Sequence, residues 1–336
     1  MQFRRYVDEL ADIDKIIVDG NGAGCGLQLS HWPGNTTPAH LKADLSVESV
    51  LRFIADPTYP QMVRGRSIVT NDHHDTDGLL AAWAVLNPTT ALLHRRALIA
   101  AAETGDFYEF TTPQALQFDL LVEAFTEPDR SPIGHELHDL NEAEIDQRVS
   151  EVLLPQLPEL LYETNRYESL WREEYETLVR RLRWLNEGRV HVQEFPEMRL
   201  STIRTPQRLD HFGHNYFSRG HRILETIEDS DGTRYILHYR QFLWYDIVSR
   251  TASPTYDMTE AANYLNQLEP PNSGGAWVTT KWTPALLFAA SGPRQARTVS
   301  YKEPLGVSAL SGSEVLTVVI EELARLDRQQ GESLPR

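Results

Sequence analysis

The segment Asn71-Asp72-His73-His74-Asp75-Thr76-Asp77-Gly78 crowds carboxylates and imidazoles into one short loop. Like charges so close repel one another unless a cation offsets them. Asp75 and Asp77 are expected to alternate on a short extended stretch, from which both reach a common divalent ion. His73 or His74 can add an imidazole ligand or pass a proton to a leaving group. Mixed nitrogen and oxygen ligation suits Mn²⁺, Mg²⁺, Fe²⁺ or Zn²⁺ without choosing among them. Gly78 lets the backbone turn tightly past such a site. A solvated turn whose Asp residues cap the next helix accounts for two of the acids and leaves the crowding unexplained.

Further candidates lie elsewhere. Asp19 closes the apolar run Ile16–Val18 and is placed to join the same site. In LSHWPGNTTP, His31 is a ligand or general acid, and Asn35 is a donor to a bound anion. The loop Gly20–Gly26 is rich in glycine but matches neither the dinucleotide fingerprint nor the P-loop. Downstream, His211, His214 and Arg219 fall in one short span, and with Arg240 they are candidate substrate contacts. Either guanidinium suits a phosphate by its charged fork.

The elements that must hold these residues alternate in type through about residue 110. Strands are expected at Ile16–Val18, Leu27–Trp32 and Ser67–Thr70, and helices after Asp44, at Leu79–Leu86 and around Leu98–Glu103. That order predicts an α/β domain with a mostly parallel sheet and flanking helices. Loops at the carboxyl ends of such strands are the usual place for a site. Leu157–Asn186 has the spacing of one long helix stopped by Gly188. The pattern then changes to strands at Val190–Phe195, Leu200–Arg204, Thr233–Tyr239 and Trp244–Ser249, with a helix at Ala261–Leu268 and either a strand or a helix start at Val315–Ile320. The expected division is 1–156 for the metal-binding α/β domain, 157–188 for a connecting helix, and 189–336 for a smaller mixed α+β domain that binds or caps the substrate.

The chain has 336 residues, 32 basic and 48 acidic, for a net charge of −16. That balance excludes a generally basic surface for long duplex nucleic acid or anionic membrane. The single cysteine excludes an internal disulfide framework and a thiolate-rich metal site. No apolar run reaches the length of a membrane span, and the start carries no secretory pattern, so a cytoplasmic location is expected.

The segment around residues 66–86 resembles the first motif of the DHH phosphoesterase superfamily, usually His-x-x-x-Asp-x-Asp between a strand and a small-residue helix. Here it reads Asn71-x-x-x-Asp75-x-Asp77, with Asn in the first place as in the exopolyphosphatase branch. The second motif, a lone Asp, is matched by Asp106 in AAAETGDF. The later Asp-His-His motif has no match in that order; His135, His138 and Asp139 are the nearest residues. The likeness is close over 66–86, loose to about 140 and absent beyond, as for an outlying member. It implies a divalent metal held by Asn71, Asp75, Asp77 and Asp106, with Asp19 nearby, and Mn²⁺ expected ahead of Mg²⁺. It implies hydrolysis of a phosphoester or phosphoanhydride in a small phosphorylated molecule or short oligonucleotide. Hydrolysis of a non-phosphate bond by the same ligands, and non-catalytic binding on a degenerate site, are the competing expectations. Oligomeric state is open.

Overall fold

The computed structural model describes residues 1–22, 24–280, 285–290, 298–299 and 304–333; residue 23 of the glycine-rich loop lies outside the described residues. The protein is α/β, with one mostly parallel sheet and one mixed sheet, and it divides into two compact units. The first comprises Met1–Val179 with Trp244–Thr251, and the second Arg180–Leu243 with Ala252–Arg336.

In the first unit, β1 (Gln2–Phe3), β2 (Lys15–Val18), β3 (Gly26–Leu29) and β4 (Ile68–Thr70) lie in the order β1-β4-β2-β3. Every pairing is parallel, with Ile16 of β2 opposite Val69 of β4 and Leu27 of β3. β2 is buried along its whole length, as suits an inner strand of a parallel sheet covered on both faces. Its helices are α1 (Ser46–Ala55), α2 (Tyr59–Met62), α3 (Thr76–Leu86), α4 (Pro88–Phe107), α5 (Pro113–Thr126), α6 (Gly134–Leu137), α7 (Glu142–Tyr162) and α8 (Glu168–Leu182), the last turn of which, from Arg180, is counted in the second unit.

α3 is apolar on every side, which is the signature of a buried helix. Leu79, Leu80, Ala81, Ala82, Trp83, Ala84 and Val85 are all buried, and α3 packs against α1, α4, α5 and α7. Burial of each leucine contributes roughly 1.5–3 kcal/mol. The loop before α3 is thus fixed to a rigid element.

The segment expected as one helix over 157–186 is divided. α7 ends at Tyr162, a 3₁₀ turn spans Thr164–Tyr167, and α8 begins at Glu168. Tertiary bonds hold the turn: Thr164 Oγ1 donates to Gln117 Oε1 at 2.8 Å, and Trp171 Nε1 donates to the Thr164 carbonyl at 2.8 Å.

The second unit is built on β5 (His191–Phe195), β6 (Leu200–Thr205), β7 (Arg222–Asp229), β8 (Gly232–Tyr239), β9 (Ala276–Thr280), β10 (Leu286–Ala289) and β11 (Thr298–Val299), in the order β11-β9-β10-β8-β7-β6-β5. β6–β7 and β9–β11 pair in parallel and the others antiparallel. Its helices are α9 (His211–Phe217), α10 (Thr259–Leu268) and α11 (Gly312–Ser333). Strand alternation separates two cores. Tyr235 and Leu237 join Trp277 and Phe288 beneath Ala262, Val315 and Leu323, whereas Ile236 joins Val278 and Leu287 in a separate cluster.

Trp244–Ser249, expected as a strand, is not one. Gln241–Trp244 form a 3₁₀ turn, and the residues beyond it belong to the first unit. Their backbone donors find partners other than a sheet. The Asp44 carboxylate accepts N–H bonds from Val248 (2.6 Å) and Ser249 (2.8 Å), and the His31 carbonyl accepts the Asp246 N–H at 2.7 Å.

Candidate metal centre

Three loops leave the carboxyl ends of adjacent parallel strands: Asp19 follows β2, His31 follows β3, and Asn71–Asp75 follow β4. Asp106 comes from the last turn of α4. Asp19 adopts φ +44°, the left-handed region that Asp tolerates better than most residues. Gly20, at φ +136°, passes so close to Asp72 that a Cβ there would lie 2.2 Å from its Oδ1.

Asp75 and Asp77 are set by helix geometry and not by an extended strand. Asp75 is the N-cap of α3: its Oδ1 accepts the Gly78 N–H at 2.7 Å, and its Oδ2 lies 2.8 Å from His73 Nε2. Asp77 is in the first turn and accepts the N–H groups of Ser46 (2.6 Å) and Val47 (2.8 Å) at the start of α1. Backbone donors at a helix start suit a carboxylate, so α1 and α3 fix one another through this side chain.

Two ligand sets result. In each, one donor atom per residue falls within 4.8 Å of the others: Asp19, His31, Asp77 and Asp106 form one set, and Asp19, His73 and Asp75 the other. Asp19 belongs to both, with a different oxygen toward each. Its Oδ1 lies 3.4 Å from His31 Nε2 and its Oδ2 lies 3.2 Å from His73 Nε2. Oδ1 also accepts from Ser46 Oγ at 2.8 Å and Trp32 Nε1 at 3.1 Å, which hold the carboxylate in place.

Both histidines are oriented in the same way. His31 Nδ1 lies 2.6 Å from the Asp44 carbonyl, and His73 Nδ1 lies 2.8 Å from Asp72 Oδ1. A carbonyl and a carboxylate only accept, so each Nδ1 carries a proton and each Nε2 faces the carboxylates. Metal-binding histidines are commonly fixed like this by a second acceptor. Tyr245 stacks on the His31 ring at a centroid distance of 4.0 Å.

The donor set fits divalent cations. Asp19 Oδ2, His31 Nε2 and Asp106 Oδ2 are buried and make no well-aligned hydrogen bond, although His31 Nε2 lies 3.0 Å from Asp106 Oδ2. Such atoms cost free energy that a bound cation offsets. His73 Nε2 is within reach of both Asp19 and Asp75, but its single proton can serve one carboxylate, and Asp75 is nearer.

The titration shifts report the same field. Burial alone would depress His73, but Asp75 and the other carboxylates push it far above its ordinary value. His31 rises in the same way, against burial, through Asp106 and Asp19. Burial and Asp106 push Asp77 well up, and burial with Asp75 pushes Asp106 up to about 7. Against burial, the two histidines hold Asp19 well below the usual carboxylate range.

These shifts make a prediction for the metal-free protein. A raised histidine stabilises fully below its unfolded value of 6.5, and that stability is lost as pH climbs toward its folded value. Asp106, raised from 3.8 to about 7, acts in the same direction at lower pH, and its share is lost by about 7. Thermal denaturation in EDTA should therefore show stability falling as pH rises above 6.5, by up to about 1.4 kcal/mol per pH unit for each retained proton. With saturating Mn²⁺ the fall should vanish, since the ion replaces the protons. A flat metal-free profile would mean the carboxylates do not surround these rings as described.

A model of the family described as "Family of unknown function (DUF6687)" matches residues 1–331. The chain belongs to this family. No curated protein matches it. Among solved structures, it is similar to the crystal structure of an exopolyphosphatase-related protein from Bacteroides fragilis, at 8% identity and a TM-score of 0.29, over 94% of this chain and 72% of that one. So loose a likeness bears on neither the fold nor the chemistry.

In this DUF6687 member, the structure brings together Asp19, His31, His73, Asp75, Asp77 and Asp106. Asn71 is buried beside them, its Nδ2 packed against Gly78. His74 lies outside both sets: its Nδ1 is 3.5 Å from Ser150 Oγ, and burial together with the His73 charge pushes it down to about 4. Asn35 Nδ2 donates to the Trp32 carbonyl and to Asp246 Oδ2, within the first unit. His211, His214, Arg219 and Arg240 lie in the second unit. Arg240 is bonded to the carbonyls of Gly220, Asn215 and Ser218, and the Arg219 N–H donates to Glu194.

Sequence reading missed Trp32, Ser46, Asp72 and Tyr245, which support the ligands. Asp72 stands in the same acidic loop and was open to notice there. Ser46 and Tyr245 reach the site only through tertiary packing and carry no local signal. Among the described residues, no helix is long and apolar enough to cross a membrane.

Proposed function

We propose that the protein is a divalent-metal-dependent hydrolase of phosphoester or phosphoanhydride bonds. The observation that carries this reading is the sharing of Asp19 between two ligand sets, one oxygen toward each. Paired metal sites of phosphoryl-transfer enzymes hold their ions about 3.5–4 Å apart, a separation that a carboxylate with one oxygen toward each ion can span. The resemblance to DHH phosphoesterases over residues 66–86 supports the same chemistry.

Asp19, His31, Asp77 and Asp106 would hold one ion, and Asp19, His73 and Asp75 the other. Bound ions would lower the pKa of a coordinated water and neutralise charge on the phosphoryl oxygens. The remaining work falls to the protein. Ser46, Trp32 and the start of α1 fix the orientation of Asp19 and Asp77, while Asp44 and Asp72 fix the two imidazoles. The first set is closed, with the Asp19, His31 and Asp77 side chains fully buried. The second opens to solvent at His73 and Asp75, so substrate approaches from that side. Arg5 lies at this opening, its guanidinium bonded to the Asp72 carbonyl and to Asp146. The expected ion is Mn²⁺ before Mg²⁺, and the expected substrate is a small phosphorylated molecule or short oligonucleotide.

The test is a Mn²⁺-supplemented screen of phosphomonoesters, phosphodiesters, polyphosphates and short oligonucleotides, beside a panel of amides and carboxylic esters. Release of phosphate or mononucleotide that EDTA stops, that Mn²⁺ restores and that Asp77→Asn abolishes is the expected result. Turnover confined to amides or esters would replace this reading with a non-phosphate hydrolase. Binding of phosphate compounds without turnover would favour a non-catalytic protein.

A further inference from the structure

The second unit gathers His211, His214 and His238 where no carboxylate belongs to the set, and one ring nitrogen from each falls within 4.8 Å of the others. The local sequence explains the gathering. Asp210 caps α9 by accepting the Gly213 N–H at 2.7 Å, and the three-residue spacing puts His211 and His214 on one face. His238 faces them from β8. The His214 and His238 ring centroids are 4.1 Å apart, and His211 lies 6.1 Å and 5.9 Å from them.

The tautomer of His214 is fixed. Its Nε2 lies 3.0 Å from Glu225 Oε2, and the other oxygen of Glu225 accepts the Leu209 N–H at 2.7 Å. A carboxylate only accepts here, so Nε2 carries a proton, and the lone pair of the neutral ring sits on Nδ1. That Nδ1 is fully buried and makes no hydrogen bond. A carboxylate behind one nitrogen and a bare lone pair at the other is the arrangement of a metal-bound imidazole.

We propose that His211, His214 and His238 form a second metal site that takes a borderline transition-metal ion, Zn²⁺ by preference, and ties α9 to the second sheet. A set of three imidazoles suits Zn²⁺ and disfavours Mn²⁺ or Mg²⁺, which the oxygen-rich centre of the first unit prefers. Zn–N bonds of about 2.0–2.1 Å place tetrahedral ligand atoms about 3.3 Å apart, so a small rotation of the rings completes the set. His211 is the most exposed of the three and gives the ion a way in.

The site is independent of the hydrolase reading, and so is its test. In the Asp19→Asn chain, which has lost its shared carboxylate, Zn²⁺ content after gel filtration should be one ion per chain. Co²⁺ in its place should give visible absorption bands of a nitrogen-rich, four-coordinate site. Adding His211→Ala to that chain should weaken Zn²⁺ binding at least tenfold, with the far-UV circular dichroism unchanged. If His211→Ala misfolds, His211→Gln and the Co²⁺ spectrum of the Asp19→Asn chain decide the matter. No Zn²⁺ on the Asp19→Asn chain, an octahedral oxygen-type Co²⁺ spectrum, or full retention of Zn²⁺ without His211 would each overturn the proposal and leave the three rings as a packed aromatic cluster.

Discussion

Asp19→Asn is expected to remove both bound ions and with them Mn²⁺-dependent phosphate release. Asn keeps the shape of the side chain and suits the left-handed backbone at this position, so the fold should persist. Trp32 Nε1 and Ser46 Oγ would still find an amide oxygen to bond. What changes is charge, and the oxygen that faces one of the two sets becomes an NH₂ donor. Changing an outer partner of a metal ligand already weakens binding by about 10–100-fold. Losing a shared ligand should exceed that for both ions, with activity down by at least about 1000-fold. Asp77→Asn should differ: it takes a ligand from the set around His31 alone and leaves the other set, Asp19, His73 and Asp75, complete. Metal content by mass spectrometry, with circular dichroism as the control for folding, separates the two variants. If Asp19→Asn lost no more metal than Asp77→Asn, the bridging role would be wrong.

Gly78→Ala should be destabilising where helix propensity predicts the reverse. In an exposed helix this change would gain up to about 1 kcal/mol. Here a Cβ would stand 2.4 Å from Asn71 Nδ2 and 3.0 Å from both Asp19 Oδ2 and Asp75 Oδ1. Asn71 and Asp19 are buried, so they have no solvent to retreat into. Overpacking of this kind costs about 1–3 kcal/mol. Two of the three displaced groups are candidate ligands, so metal affinity should fall at least tenfold although no ligand is removed. Thermal denaturation with and without Mn²⁺ checks both effects. A higher melting temperature with unchanged metal content would show that α3 does not begin this close to the site.

Much of this arrangement was readable in the sequence, for reasons that are local. The loop 71–78 stood out because its charges are adjacent in the chain, and the α/β class of the first unit followed from alternating patterns that two or three residues define. The short strand at Ile16–Val18 and the apolar run Leu79–Leu86 are of this kind. Asp106 was found only through the resemblance, since a lone Asp near a helix end has no signature of its own.

The rest depended on tertiary contacts. Asp75 and Asp77 were read on an extended stretch, whereas Asp75 caps α3 and Asp77 binds the start of α1, a helix some thirty residues earlier. Trp244–Ser249 has the residue types of a strand, but Asp44 takes its N–H groups. The spacing of Leu157–Asn186 continues across the 3₁₀ turn at Thr164–Tyr167 because both flanking helices bury a face, and Gln117 and Trp171 secure the break. The fully buried strands Ala276–Thr280 and Leu286–Ala289 show no alternation of polar and apolar residues that would mark them.

The central claim is that one carboxylate joins two ions. Electron paramagnetic resonance of the Mn²⁺-loaded protein tests it most directly. Two Mn²⁺ per chain with the spectrum of an exchange-coupled pair, replaced by no bound signal in Asp19→Asn, is the predicted result. A single isolated Mn²⁺ signal in the wild-type chain at saturation, or a coupled pair that survives Asp19→Asn, would contradict it.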